Sequence, residues 1–404
     1  MRYFAQRGGA VVFRKPDATV LPALDWASAP AVVYRNYYSR ALEWAECNEV
    51  EDVKRGDLWI DHSAGYLIPK DLFYDAHPEY FAMRKDGTRI PKDHFSYHRT
   101  PLCLSNPDVT RIAIERLNKW IEAQPEKVFF PITYGDTGLW CQCPTCKAMD
   151  PVEGQYATRL LTWVNAVATA AGKKHPDKHF ITFAYGGSDT APPKLRPAEN
   201  VWICGSVNLA ALTLWDQDVA HGRQKKAMEK MGPWIEIAPG RATVCEYQGR
   251  YYPSLPDTLA GKFRFYKKHS ITGLIFSFGY PQNFVGLWRY LYPRLMWDPS
   301  RDAHALTAEY VGHHFGPAAE PIQAYFDQAR RRYQQTLRNL DELGDDYYAA
   351  FYDDGYAEKA MDCFFRARAA AEGHAKLRAE IEQEAQTFLM DWMKHPRGKK
   401  MSAA

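Results

Sequence analysis

The sequence predicts an α/β fold, a (β/α)8 TIM barrel with a C-terminal α-helical extension. Three observations predict it. Eight short apolar or β-branched runs occur in order, each opening onto a polar, glycine or aromatic mouth. Helical patterns separate several of them. After the eighth run the chain changes to long, charged, amphipathic stretches. Continuous apolar strands alternating with helices indicate a parallel sheet buried on both faces, and eight of them indicate closure. A doubly wound open sheet is the alternative, but no glycine-rich phosphate loop follows any run.

The eight runs are 31–35 (AVVYR), 58–62 (LWIDH), 101–105 (PLCLS), 128–134 (VFFPITY), 179–185 (HFITFAY), 201–207 (VWICGSV), 242–247 (ATVCEY) and 273–278 (GLIFSF). Helical spacing of apolar residues predicts helices over 108–123, 155–171, 218–231 and 254–269. The first opens after Asn106-Pro107, a cap followed by a proline suited to the first helical turn. The connection from Ser63 to Thr100 is long and rich in Pro, His and Tyr. It reads as a loop draped over the active face. Further helices are predicted over 287–295 and 303–315, then amphipathic ones over 321–343 and 357–392, broken at Gly344-Asp345-Asp346. The expected organisation is a lead-in at 1–30, a barrel at 31–300, a helical region at 301–393 and a flexible tail at 394–404.

Composition excludes several classes. Hydrophobic residues make up 46% and charged residues 25%, so the chain can bury a large core and does not read as disordered. The net charge of +3 and the lack of a basic tract give no support to a nucleic-acid partner. No run approaches the roughly 18 apolar residues of a membrane span. The opening MRYFAQRGGAVVFRKPD lacks the apolar core and cleavage site of a signal peptide.

Active sites of such barrels lie at the C-terminal ends of the strands. Three strands end in a carboxylate: Asp61, Asp136 and Glu246. Two carboxyl groups gripping one bond is the requirement of glycoside hydrolysis, with one donating a proton and the other attacking, stabilising or activating water. Strands four and seven lie across the barrel, so Asp136 is the expected general acid and Glu246 its catalytic partner. An acid of this kind needs partial burial, which Trp140 would supply. The competing roles are a turn residue for Asp136 and a structural partner of Arg35 or Arg250 for Glu246. Strand alternation points one of Asp61 and His62 inward, and His62 is the one expected at the sugar. Aromatic rings that stack on sugar faces recur after separate strands. The expected substrate-binding set is Arg35, His62, Tyr134, Trp140, Tyr185, Tyr247 and Tyr280.

Cys141-Gln142-Cys143-Pro144-Thr145-Cys146 is the sharpest local motif. CxCxxC brings three thiols within reach of one metal, and Cys103 on the preceding run is the candidate fourth ligand. Four thiolates make a closed structural zinc site with no position for water. A disulfide or a packed cluster of thiols are the other readings. The expected chemistry requires no cofactor beyond this candidate zinc.

WIDH, HPEYFAMRKDGTR, PLCLSNPDV and GDTGLWCQCPTC resemble the bacterial barrel family known as domain of unknown function 4838. The stretch LYPRLMWDPSRDAHALTAEYVGHHFGPAA is similar to that family's end, and the resemblance covers about Ala31 to Phe326. It implies a barrel glycoside hydrolase, with endo-β-N-acetylglucosaminidases acting on N-glycans among its members. It also implies a secreted or periplasmic setting. Many members carry an additional N-terminal α/β domain, whereas this sequence begins almost at the first barrel strand. Asp136 and the cysteine cluster match the family pattern. An acetamide-assisted mechanism would need a polar partner beside Asp136, whose neighbours are Gly135 and Thr137.

The leading expectation is therefore a glycosidase acting on an oligosaccharide or glycan. The alternatives are a catalytically inactive carbohydrate-binding barrel and a metal-dependent hydrolase that uses the cysteines.

Overall fold

A computed structural model describes residues 2–6, 9–13, 30–37, 51–52, 60–205, 222–247, 256–277, 283–337 and 351–393. The chain opens with an antiparallel hairpin of β1 (Arg2–Gln6) and β2 (Gly9–Phe13). Then come β3 (Tyr34–Tyr37), β4 (Glu51–Asp52) and the one-turn helices α1 (Ala64–Leu67) and α2 (Lys70–Phe73). The central part carries α3 (Pro107–Ala123), β5 (Phe129–Pro131), α4 (Pro144–Ala148), α5 (Ala157–Lys174), β6 (His179–Ala184), β7 (Val201–Gly205), α6 (Gly222–Ile237), β8 (Ala242–Tyr247), α7 (Pro256–Lys268) and β9 (Ile271–Ser277). The C-terminal part is helical: α8 (Val285–Trp297), α9 (Ala303–Phe315), α10 (Ala319–Leu337), α11 (Asp354–Ala370) and α12 (Ala375–Met393).

β3 to β9 form one parallel sheet in the order β4-β3-β9-β8-β7-β6-β5. Phe129, Ile181, Trp202, Cys204, Cys245 and Ile275, from five successive strands, meet in one apolar cluster. Side chains from that many strands converge only if the sheet curls with this face inside. The outer face packs on helices. Phe130, Phe180 and Val201 join one outer cluster with α3, α5 and α6. Val244, Leu274 and Phe276 join another with α7, α8 and the C-terminal helices, which therefore share a core with the sheet.

A complete eight-stranded barrel is not formed among the described residues; no backbone ladder joins β4 to β5. Two expected strands account for the difference. Residues 58 and 59 of the second run lie outside the described residues. The rest of that run meets the end of β5 through side chains: Thr133 Oγ1 donates to the Asp61 carbonyl at 2.6 Å, and Ser63 N donates to Thr133 Oγ1 at 2.7 Å. The third run, 101–105, is not a sheet strand. Cys103 N donates to Tyr80 O at 2.8 Å and Ala82 N to Pro101 O at 3.1 Å, an isolated antiparallel pairing with the loop before it. Pro101 has no N–H to give a ladder, and Cys103 and Ser105 turn toward the other cysteines.

Helix boundaries follow their caps. Asn106 Oδ1 accepts from Asp108 N at 2.9 Å with Pro107 in the first turn of α3. Asp302 and Asp353 cap α9 and α11 in the same way. The stretch expected as one helix over 357–392 is two, because Gly373 takes a left-handed backbone (φ +80°) between α11 and α12. The expected break at Gly344-Asp345-Asp346 lies outside the described residues. No helix among the described residues is long and apolar enough to cross a membrane.

Candidate active site

Strand alternation decides which side chains reach the inner mouth of the sheet. Along β6, Phe180 and Ala184 belong to the outer cluster, while Ile181 and Phe183 lie on the inner one. The next inward position is Tyr185, just past the strand end. Its hydroxyl donates to Asp136 Oδ1 at 2.7 Å.

Asp136 sits just past β5, and its backbone N–H donates to the His98 carbonyl at 2.7 Å. The 63–100 loop therefore does lie across this end of the sheet. Gly135 makes the approach possible, since a Cβ there would lie 2.5 Å from Thr100 O and 2.7 Å from Thr100 N. His62 Nδ1 lies 2.9 Å from the Tyr134 carbonyl. A carbonyl only accepts, so Nδ1 carries a proton, which in the neutral ring leaves Nε2 as the acceptor nitrogen. The His62 ring lies 5.0 Å from Phe183 and 5.9 Å from Tyr185. Asp61 accepts from His62 N at 2.7 Å and has His98 Nδ1 at 3.6 Å. Asp136, Tyr185, Phe183 and Ser188 help to line a cleft of about 230 Å³.

Several expected roles change. Glu246 is 1% exposed and faces outward with Val244, not inward with Cys245. Lys262 Nζ from α7 donates to its Oε2 at 2.6 Å, and the Tyr266 hydroxyl donates to Oε1. Burial pushes Lys262 below the ordinary lysine range, against the pull of Glu246. Glu246 thus has a structural partner in Lys262 and does not face Asp136, while Arg250 lies outside the described residues. Nor is Asp136 shielded by Trp140, because Asp136 is exposed.

Tyr134 and Trp140 are both buried and stack on each other at 4.1 Å, with Tyr156 on the far side of Trp140 at 4.7 Å. Both also line the cleft. Arg35 donates to the carbonyls of Val32 at 2.8 Å and Val33 at 3.0 Å and lies over Trp297, which draws it to the N-terminal end of its strand. The side chain of Tyr247 and all of Tyr280 lie outside the described residues.

Asp61, His98 and Phe183 complete the group without having been assigned to it from sequence. Asp61 carried a signal as a carboxylate at a strand end. His98 carried none, because its place depends on how the 63–100 loop crosses β5.

Cys103, Cys141, Cys143 and Cys146 are all buried free thiols, and their sulfurs lie within 4.8 Å of one another. Beneath them Arg159, 1% exposed, donates to the Cys141 carbonyl at 2.6 Å and pairs with Asp150 at 3.3 Å. Burial raises the Asp150 carboxyl to about 6, with the Arg159 guanidinium pulling the other way.

The curled parallel sheet and the polar cluster at its C-terminal edge define an α/β protein with a cleft at the strand ends. The chain belongs to the family described as domain of unknown function (DUF4838), which matches residues 10–327. No curated protein matches it. The solved structure of a GH138 enzyme targeting pectin rhamnogalacturonan II is similar to it, with a TM-score of 0.40 and 10% sequence identity. The similarity covers 90% of this chain and 57% of that one, so this chain spans a little over half of that protein's length.

Proposed function

We propose that this protein is a glycoside hydrolase whose cleft lies at the C-terminal edge of the sheet, with Asp136 as its central proton-transferring carboxylate. The observation that carries this reading is the bond from Tyr185 to Asp136 at the cleft, with the His62 ring from a third segment set beside Tyr185. Tyr185 orients the carboxylate, and His62 offers Nε2 as an acceptor for a sugar hydroxyl. Asp61, at the same edge, replaces Glu246 as the second carboxylate. Asp136 is exposed in the free protein, so a bound sugar ring has to supply the desolvation that a general acid needs. The family resemblance makes glycans containing N-acetylglucosamine the first substrates to try.

The outward burial of Glu246 favours a second reading, a carbohydrate-binding fold without catalysis. The metal-dependent hydrolase loses ground on its donor set, since four buried thiols leave no open coordination position. A hydrolysis screen of the wild type and Asp136→Asn tests both remaining readings. The panel is N-glycans, aryl N-acetylglucosaminides, and plant and algal oligosaccharides. Turnover that disappears in the variant while sugar binding persists supports the glycosidase. Turnover retained in Asp136→Asn removes this residue from the mechanism. Binding without turnover by the wild type supports the second reading.

A further inference from the structure

We propose that Cys103, Cys141, Cys143 and Cys146 hold one Zn2+ as four thiolates, and that the ion fastens the stretch following Asp136 to the segment preceding α3. This inference does not depend on which glycan the protein acts on.

The geometry suits the ion. A tetrahedron with Zn–S of about 2.3 Å has sulfur–sulfur edges of about 3.8 Å. Cys103 Sγ lies 3.7 Å from Cys143 Sγ and 3.9 Å from Cys146 Sγ. All six sulfur pairs fall within 4.8 Å, so a small inward movement closes the set. Zinc sites of this kind bring together two chain segments, and here Cys103 comes from one and the CxCxxC stretch from another.

The surroundings suit thiolates better than packed neutral thiols. Met83 N–H donates to Cys141 Sγ at 3.3 Å, and Cys146 N–H donates to Cys143 Sγ at 3.4 Å. The Cys146 thiol donates to Ser105 Oγ at 3.2 Å, and Ser105 Oγ lies 3.6 Å from Cys143 Sγ, so the hydroxyl is placed to donate in turn once these sulfurs are thiolates. Such outer hydrogen bonds orient ligands and spread their charge. The guanidinium of Arg159 is buried on the carbonyl of Cys141, which adds positive charge next to a dianionic centre. Four thiols release four protons to solvent as their sulfurs bind one Zn2+, leaving a centre of net charge −2 with no redox change.

The consequence for the cleft follows from chain order. Asp136 lies between Tyr134 and Trp140, whose rings stack, and Cys141 follows Trp140 directly. An ion anchoring Cys141 fixes one end of that short span, and β5 fixes the other. The zinc is thus a positioning device and touches no substrate.

The test uses the full chain purified under reducing conditions. Elemental analysis should find about one zinc per chain, as a closed four-thiolate site requires. Titration with a mercurial should release that zinc as the four thiols react. Cys103→Ser and Cys146→Ser should lower bound zinc about tenfold or more, while Cys204→Ser, at a buried cysteine outside the cluster, should retain it. Hydrogen exchange at 135–141 should rise when zinc is removed. Where the serine variants fail to fold, wild-type protein stripped and reloaded with Co2+ should show the visible bands of tetrahedral cobalt thiolate. Protein with four titratable thiols but neither zinc nor those cobalt bands would overturn the proposal. So would a native disulfide within the cluster.

Discussion

The ammonium of Lys262 lies 2.6 Å from Oε2 of Glu246, and the Tyr266 hydroxyl bonds the other carboxylate oxygen, all of it beneath the outer face of β8. This pair separates the two carboxylates expected to work together: Glu246 binds a helix to the sheet, and Asp136 faces the cleft. Glu246→Gln should therefore destabilise without acting on chemistry. Removing one partner of a buried ion pair costs about 3–5 kcal/mol. The cost should fall toward the lower end, because burial already disposes Lys262 to give up its proton. Glu246→Leu combined with Lys262→Met should recover much of the loss. Urea denaturation measures both, alongside turnover per folded molecule. A Glu246→Gln protein of undiminished stability that had lost turnover would return Glu246 to the mechanism.

Tyr185→Phe isolates one hydrogen bond. The ring contact with Phe183 at 5.4 Å is kept, and the 2.7 Å bond to Asp136 is lost. A hydrogen bond to a charged group is worth about 1.5–3 kcal/mol, which is about 10- to 100-fold in rate if it is made in the transition state. We expect kcat to fall by that factor with KM little changed. A KM effect alone would make Tyr185 a substrate contact.

Gly135→Ala should disturb the cleft through the backbone. The new methyl would meet both Thr100 O and Thr100 N, neither of which can rotate away. Overpacking of this kind costs about 1–3 kcal/mol. It should also weaken the bond from Asp136 N to His98 O, so turnover should drop with stability. Gly138→Ala is the control, since a Cβ there meets nothing within 4 Å. Thermal melts and kinetics on both variants check this, and equal behaviour would mean the 97–100 segment yields readily.

Stability should fall steeply in alkali. Burial pushes the phenols of Tyr134, Tyr266, Tyr310 and Tyr325 well above the ordinary tyrosine range. In the unfolded chain they ionise near about pH 10. Their stabilising contribution is therefore fully present below about pH 10. It is lost as the pH rises beyond that value, because only the unfolded state can then shed protons cheaply. The urea midpoint measured between about pH 8 and 11 should fall together with the appearance of phenolate absorbance. A flat midpoint across that range would mean that these tyrosines titrate without unfolding.

The amino-acid sequence by itself determined the elements. The apolar runs at 179–185, 201–207, 242–247 and 273–278 are long, bounded by turn residues, and coincide closely with β6, β7, β8 and β9. Asn106-Pro107 marked the start of α3, and the CxCxxC spacing marked the cysteine cluster with Cys103 as its fourth member. Those signals are local, so local chemistry suffices to read them. The tertiary structure decided which way side chains point and which segments meet. In ATVCEY the polar residues Thr243 and Glu246 fall on opposite parities of the strand, so only the packing of Val244 on helices and of Cys245 inside shows that Glu246 faces out. The same holds for the run at 101–105, which is apolar enough for a strand but is drawn to the cysteines and paired with Tyr80 and Ala82 instead. The His98 carbonyl meets Asp136 N because Gly135 leaves room for the loop above it, a contact between residues 38 positions apart that no sequence period encodes. Direction and long-range contact arise from the balance of packing over the whole chain, which is why they appear only once it is folded.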